Sequence, residues 1–328
     1  MNIVSTGLYV PGAPIDNAEL MALAGIEFDA GRMEEKLGIV RRHIAHLRGI
    51  DETSADFAEK ATRAAIERAG IDPDEIGLFI VASDTPEYIS PATSMVLQGR
   101  IQGGQRYAGT FDLNASCSSF VAALHTAQAL VKADSAIRYA CVVGLYNMPA
   151  FVRPGDVFGY SIFADGAAAF IIEDGDGYLD GQLLSDGTQY DYVGVYTGGT
   201  RLPATAERLA AGTYGLELLQ RLPGDRNIKL WPAMVDALLR KIGRTRDEID
   251  HYLFTQINKS VIGEVMTILG QPLTKTTTVM DRYGYTGSAC IPMAFHTAVT
   301  EGHVKRGDTV MAVASGAGLA VAAGCWRY

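Results

Sequence analysis

Of the four cysteines in the chain, Cys117 stands in the setting of a nucleophile. Phe111-Asp-Leu-Asn-Ala-Ser-Cys-Ser-Ser-Phe120 reads as a strand that ends in small residues, followed by a helix from about Ser118. A thiol at such a strand-to-helix turn faces a helix N-terminus, which lowers its pKa and offers backbone N–H groups to a developing oxyanion. The bland alternative is a small buried hydrophobe, and that is the reading for Cys141, which lies inside an apolar strand. A candidate base lies in Ile291-Pro-Met-Ala-Phe-His296. Pro292 suits a first helical position, so His296 falls near the second turn, where the helix N-terminus keeps imidazole neutral and basic. The alternative is a histidine satisfied on a helix face. His43, His46, His125, His251 and His303 have only structural or solvated readings.

The elements that must hold these groups are strands alternating with helices. Leu78–Ala82, Tyr139–Gly144, Ala167–Ile172 and Val310–Ala314 are short apolar runs of the kind buried on both faces. Ala55–Ala69, Ser119–Lys132, Ala233–Ile242 and Pro292–Glu301 carry helical patterns. The alternation predicts an α/β architecture with largely parallel pairing. Gly175–Thr200 is the most irregular stretch and reads as a cap or connection; its tyrosines, Tyr190, Tyr192 and Tyr196, together with Tyr214, are candidates for an acceptor pocket, with surface Tyr as the alternative.

The chain also repeats itself at an offset of 173. Ala65–Ile76 lines up with Leu238–Ile249, matching Gly70 to Gly243 and Asp74-Glu75-Ile76 to Asp247-Glu248-Ile249, and the same offset places Cys117 on Cys290. Two similar halves would bury the faces that neither covers alone. They divide as 1–173, which holds Cys117, and 174–328, which holds the His296 helix.

Composition narrows the function. The 328 residues carry 28 Lys and Arg against 37 Asp and Glu, a net charge of −9, with 48% hydrophobic residues. That is ample for a large core, and without a basic block nucleic acid is not an expected partner. No CxxC pair occurs, so a reduced, cytoplasmic protein without a bound metal is expected. Val310–Trp326, at 17 residues and broken by Gly316, Gly318 and Gly324, reads as strand, turn and strand rather than a membrane span.

Over essentially its whole length the sequence resembles the thiolase superfamily, specifically the β-ketoacyl-ACP synthases of the type III class. Asn17–Leu20 and Gly38–Ala45 are similar to the family's opening, and Asp112–Phe120 to its nucleophile segment. Phe163–Ala169 resembles its glycine-acidic strand entry, and Arg282–Ser288 its late active-site loop. The resemblance implies a thiolase fold, five-layered αβαβα from two similar halves, a homodimer, and acyl-CoA or acyl carrier protein as donor, with no permanently bound cofactor.

The departures from that pattern are as informative. The family's His falls on Thr255 and its Asn on Tyr285. Neither supplies the charge-assisted donor that steadies an enolate, and one lost oxyanion donor costs about 3–4 kcal/mol. Decarboxylative condensation should therefore be poor. Acyltransferase-type members, and starter-unit enzymes of aromatic polyketide pathways, use a His from the helix that carries His296, with an acidic residue five positions on, here Glu301. The glycine-rich C-terminal run puts Ala317 where a backbone N–H joins that of Cys117 in the oxyanion hole. Asn258 is retained and can orient water or an acceptor, Cys290 is placed to line the pocket, and Arg32 falls where an aromatic residue stacks on the CoA adenine. The expectation is an acyltransferase of natural-product biosynthesis. Cys117 takes an acyl group from a thioester, and His296 delivers it to a hydroxyl, amine or carrier thiol. A starter-unit ketosynthase and a non-catalytic partner subunit are the alternatives.

Overall fold

The computed structural model describes residues 1–104 and 106–328. Its frame is two mixed sheets. The first holds β1 (Asn2–Tyr9), β2 (Ile76–Ala82), β3 (Gly109–Leu113), β4 (Tyr139–Tyr146) and β5 (Gly166–Glu173), in the spatial order β1-β5-β4-β2-β3. The second holds β6 (Tyr178–Gln189), β7 (His251–Phe254), β8 (Thr309–Gly316) and β9 (Gly318–Arg327), in the order β7-β8-β9-β6. The sheets share a pairing pattern: β2 runs parallel to β4 as β7 does to β8, and the next two pairings are antiparallel in both. Thr276 bridges Tyr252 in parallel, at the edge where β3 stands in the first sheet.

Helices complete five layers with the two sheets. α1 (Ser54–Ala69) and α2 (Thr93–Gln102) cover the outer face of the first sheet, α3 (Ser119–Ala133) and α6 (Cys290–Thr300) lie between the sheets, and α4 (Arg226–Ile242) covers the outer face of the second, with α5 (Lys259–Leu269) against it. Strand β2 shows why the layers form. Leu78, Ile80 and Ala82 face the inner core, while Phe79 and Val81 pack with Ala58, Ala61 and Ala65 of α1, so a continuous apolar run is covered on both sides. An aromatic file crosses the middle: Phe120 on Phe170 (4.8 Å), Phe170 on Phe295 (5.1 Å) and Phe295 on Trp326 (5.6 Å between centroids). It ties α3, the first sheet, α6 and the second sheet together.

Two expectations are corrected. The sheets are mixed rather than largely parallel, because connections without a helix, such as that at Ala317 between β8 and β9, return antiparallel. The stretch read as irregular, Gly175–Thr200, contains the twelve-residue strand β6, whose Gly181 sits on the side chains of Tyr178 and His125, where a Cβ would lie 2.4 Å from the Tyr178 hydroxyl. Val310–Trp326 is the β8–β9 hairpin. No helix among the described residues is long and apolar enough to cross a membrane.

Candidate active site

Cys117 sits on an elbow between β3 and α3. Ser116 takes a left-handed backbone conformation (φ 50°), and the turn is held by Ser118 N–H donating to the Ala115 carbonyl (3.2 Å) and Ser119 N–H to that of Ser116 (2.9 Å). Ala115 N–H donates to Ser119 Oγ (2.8 Å). The β8–β9 turn presses against this elbow at a glycine: a Cβ on Gly316 would lie 2.7 Å from the Cys117 nitrogen and 2.7 Å from the Ser116 side chain. No side chain fits there, so backbone meets backbone beside the sulfur. Ala317, the next residue, lines the same cavity as Cys117.

That cavity has a volume of about 430 Å³. Beside Cys117 its polar lining includes Asp84, Asn114, Tyr146, Arg226, Asn258 and Tyr285, set in a mainly apolar wall that includes Leu37, Ile257 and Val261. Burial is the main influence on its chemistry. It pushes the Cys117 thiol well above its ordinary pKa, and the neighbouring Asp84 carboxylate adds to this, while the Tyr285 hydroxyl favours the thiolate. The lowered pKa expected from the helix N-terminus is thus reversed, because desolvation is the largest influence on the thiol. Burial also raises Asp84 to about 6, against its own backbone N–H and the Ser116 hydroxyl, and its Oδ1 has no hydrogen-bond partner among the described residues. Cys117 thus stays a neutral thiol until a base acts on it, and Asp84 titrates in the range where a base is useful.

The residues singled out from sequence divide sharply. Cys117, Asn258, Tyr285 and Ala317 line the cavity together. Asn258 caps α5, with Oδ1 accepting from Val261 N–H (3.2 Å) and from the Ser260 hydroxyl (2.8 Å), which leaves its amide nitrogen for a ligand. Thr255 does not line the pocket: it is buried behind it, and its Oγ1 accepts from Ser315 N–H (2.9 Å), bracing the strand that ends at Gly316. Cys290 is fully buried at the start of α6, its thiol pushed up to about 12 by burial, and it too lies outside the lining. Arg32 is exposed, with its backbone N–H capped by Asp29.

The expected base is also elsewhere. His296 Nδ1 lies 2.9 Å from the Thr6 hydroxyl on β1, the edge strand opposite β3, and burial together with the Arg68 charge holds its pKa at about 4. It is absent from the cavity lining. Glu301 follows α6 and accepts from Arg282 Nη1 (2.7 Å), with His303 Nδ1 at 3.9 Å, so it orients no group toward Cys117. Tyr190, Tyr192, Tyr196 and Tyr214 do not line the cavity, although Val193, Gly194 and Val195 between them do.

Three lining residues escaped the sequence reading. Asp84 was legible in principle, as a carboxyl just beyond the end of an apolar strand, where α/β sites form. Tyr146 ends β4 the same way, its ring packed where a Cβ on Gly287 would lie 2.1 Å away. Arg226 begins α4, and no sequence signal separates it from an ordinary helix-end charge.

Two interleaved sheets with an elbow cysteine between them define a thiolase fold. Residues 111–187 match the model for 3-oxoacyl-[acyl-carrier-protein (ACP)] synthase III, and residues 239–328 the model for its C-terminal part. The chain is 36% identical over 294 residues to the β-ketoacyl-[acyl-carrier-protein] synthase III of Sinorhizobium medicae, covering 87% of this chain and 86% of the relative. Its structure is similar to that of the Thermus thermophilus synthase III (TM-score 0.85, 28% identity, 100% and 99% of the two chains). It is also similar to the priming β-ketosynthase of the R1128 polyketide pathway (TM-score 0.85, 25% identity, 99% and 95%). The chain belongs to the 3-oxoacyl-[acyl-carrier-protein] synthase III family.

Proposed function

We propose that this enzyme is an acyltransferase that passes an acyl group from a CoA or carrier-protein thioester, through Cys117, to a hydroxyl, amine or thiol acceptor. One observation carries this reading. The cavity around Cys117 contains a single titratable carboxyl, Asp84, and no histidine, while Thr255 and Tyr285 stand at the positions where the family resemblance places its His and Asn. Asp84 takes over the role first assigned to His296.

In the first half-reaction Cys117 Sγ attacks the thioester carbonyl carbon and its proton passes to the Asp84 carboxylate. Backbone N–H groups of Cys117 and Ala317 hold the tetrahedral oxyanion. As the intermediate collapses, the bond to the carrier sulfur breaks and Asp84 returns the proton to that thiolate. In the second half an acceptor O–H, N–H or S–H gives its proton to Asp84 and attacks the acyl carbon, and the Cys117 thiolate leaves and is reprotonated. No carbon–carbon bond forms. The apolar wall excludes water that would hydrolyse the acyl-enzyme.

The names of the relatives favour a second reading, starter-unit condensation with a malonyl thioester. Intact-protein mass spectrometry with a panel of acyl-CoAs separates the two. Under acyl transfer a hydroxylated or amine acceptor discharges acyl-Cys117 with no CO2; discharge only with malonyl-ACP, releasing CO2, establishes condensation instead.

A further inference from the structure

Arg226 brings a positive charge to the cavity that no ion pair answers among the described residues. It is the one cationic side chain in the lining. Its Nε is buried with no hydrogen-bond partner, and among the described residues the guanidinium forms no ion pair. The adjacent Asp225 carboxylate is taken by Lys229, one turn along α4. The groups whose charge acts on Arg226 are Tyr285, Cys117 and Tyr192; burial raises the first two well above their ordinary pKa, so both are neutral near pH 7, and burial draws the Arg226 pKa down from the ordinary value. Asp84, the one carboxyl in the lining, is not among the groups whose charge acts on Arg226.

A half-buried guanidinium without a counter-charge is costly, and a carboxylate is the group whose two oxygens match its fork. Asn227, next in sequence, is no substitute, because its Oδ1 accepts from the Ser315 hydroxyl (3.0 Å). We propose that Arg226 binds a substrate carboxylate in this cavity, so that one of the two molecules handled at Cys117 is an acid as well as a thioester or nucleophile. The acid sits either on the far end of the transferred acyl group, as in a dicarboxylic acyl thioester, or on the acceptor. This rests on the acyl-Cys117 reading above and names its substrate class.

The test separates the two sources and the two readings. Succinyl-CoA and butyryl-CoA share a chain length and differ by the carboxylate. Calorimetric titration of Cys117→Ala measures both without chemistry, and the double variant with Arg226→Met repeats it. If the acyl group carries the acid, Cys117→Ala binds succinyl-CoA about tenfold or more tightly than butyryl-CoA, and the second substitution erases the preference by weakening succinyl-CoA far more than butyryl-CoA. If the acceptor carries it, butyryl-Cys117 is discharged at least about tenfold more readily by 3-hydroxybutyrate than by its methyl ester, again only with Arg226 present. Arg226→Lys, which keeps the charge but not the fork, lies between, and its folding can be checked by thermal unfolding. Indifference to the carboxylate in both arms overturns the inference, as does an equal weakening of both CoA esters by Arg226→Met, which would put the guanidinium on the carrier phosphates. Absence of any acyl-Cys117 in the unmutated enzyme defeats the acyltransferase reading instead, and the calorimetric arm still decides whether Arg226 holds a carboxylate.

Discussion

Asp84 and Cys117 leave neighbouring parallel strands at the same end of one sheet: Ala82 pairs with Leu113, Asp84 follows two residues after the first and Cys117 four after the second. The carboxyl ends of parallel strands are where α/β folds gather ligand groups. Here that geometry brings a half-neutral carboxyl to the wall that holds a buried thiol, and the behaviour of each follows from the other.

The first consequence is a pH profile. Asp84 acts as base in its ionised form, and burial sets its pKa at about 6. Acyl transfer from a loaded Cys117 should rise with pH through about 6 and level above it. Asp84→Asn should lower the transfer rate by about 10²–10⁴-fold and remove the rising limb. Single-turnover rates from pH 4.5 to 8 measure both, and an unchanged limb in the variant would take the proton transfer away from Asp84.

Stability should move the opposite way. A carboxyl whose folded pKa lies above its unfolded one favours folding in its protonated form, so its cost is absent below about pH 4 and complete above about pH 6. Asp84→Asn should therefore be as stable as the parent at pH 4 and more stable at pH 8, with a gain on the order of 3 kcal/mol as the upper range. Denaturant unfolding at the two pH values reads this difference.

Gly316→Ala tests the oxyanion hole. Its new Cβ would lie 2.7 Å from the Cys117 nitrogen and 2.7 Å from the Ser116 Cβ, and neither is the far end of a flexible side chain, so the elbow or the turn must move. Loss of one aligned donor costs about 10²–10³-fold in turnover. The variant should fold, bind thioester and acylate slowly; wild-type acylation would mean that the β8–β9 turn does not contribute to the hole.

His296→Ala provides the control. With its Nδ1 committed to Thr6, the imidazole links α6 to β1. The substitution should lower the unfolding temperature, at a cost of about 1–2 kcal/mol, and leave acyl transfer within about twofold of the parent. A large drop in transfer at unchanged stability would return His296 to the mechanism.

Much of this protein was legible from its residues, and the exceptions share a cause. The strand-to-helix reading at Asn114–Ser119 located Cys117 because local backbone pattern alone sets an elbow. The offset of 173 anticipated the matched pairing of the two sheets because burial patterns survive in sequence when a supersecondary unit is repeated. His296 was placed in the site because helix position is legible and helix phase is not. Six residues after Cys290 it lies about 9 Å along α6 and about 240° around it, and α6 is buried on most of its surface, so apolar periodicity does not indicate which side looks into the cavity. Thr255 was misplaced by one layer, since a residue at a strand end can face the pocket or the neighbouring strand. Asp84, in Ser83-Asp-Thr-Pro86, has the composition of an ordinary turn, where Asp serves the backbone. The register of β2 on β3 is what sets it beside Cys117.

The most direct test is to load Cys117 with a single acyl-CoA, remove the excess, add acceptor, and follow the mass of the intact protein together with CO2, for the parent enzyme and for Asp84→Asn. The account predicts that the parent loses its acyl mass to a hydroxyl, amine or thiol acceptor with no CO2 and that the Asp84→Asn acyl-enzyme persists. Discharge that requires malonyl-ACP and releases CO2, or equal discharge by both proteins, would contradict it.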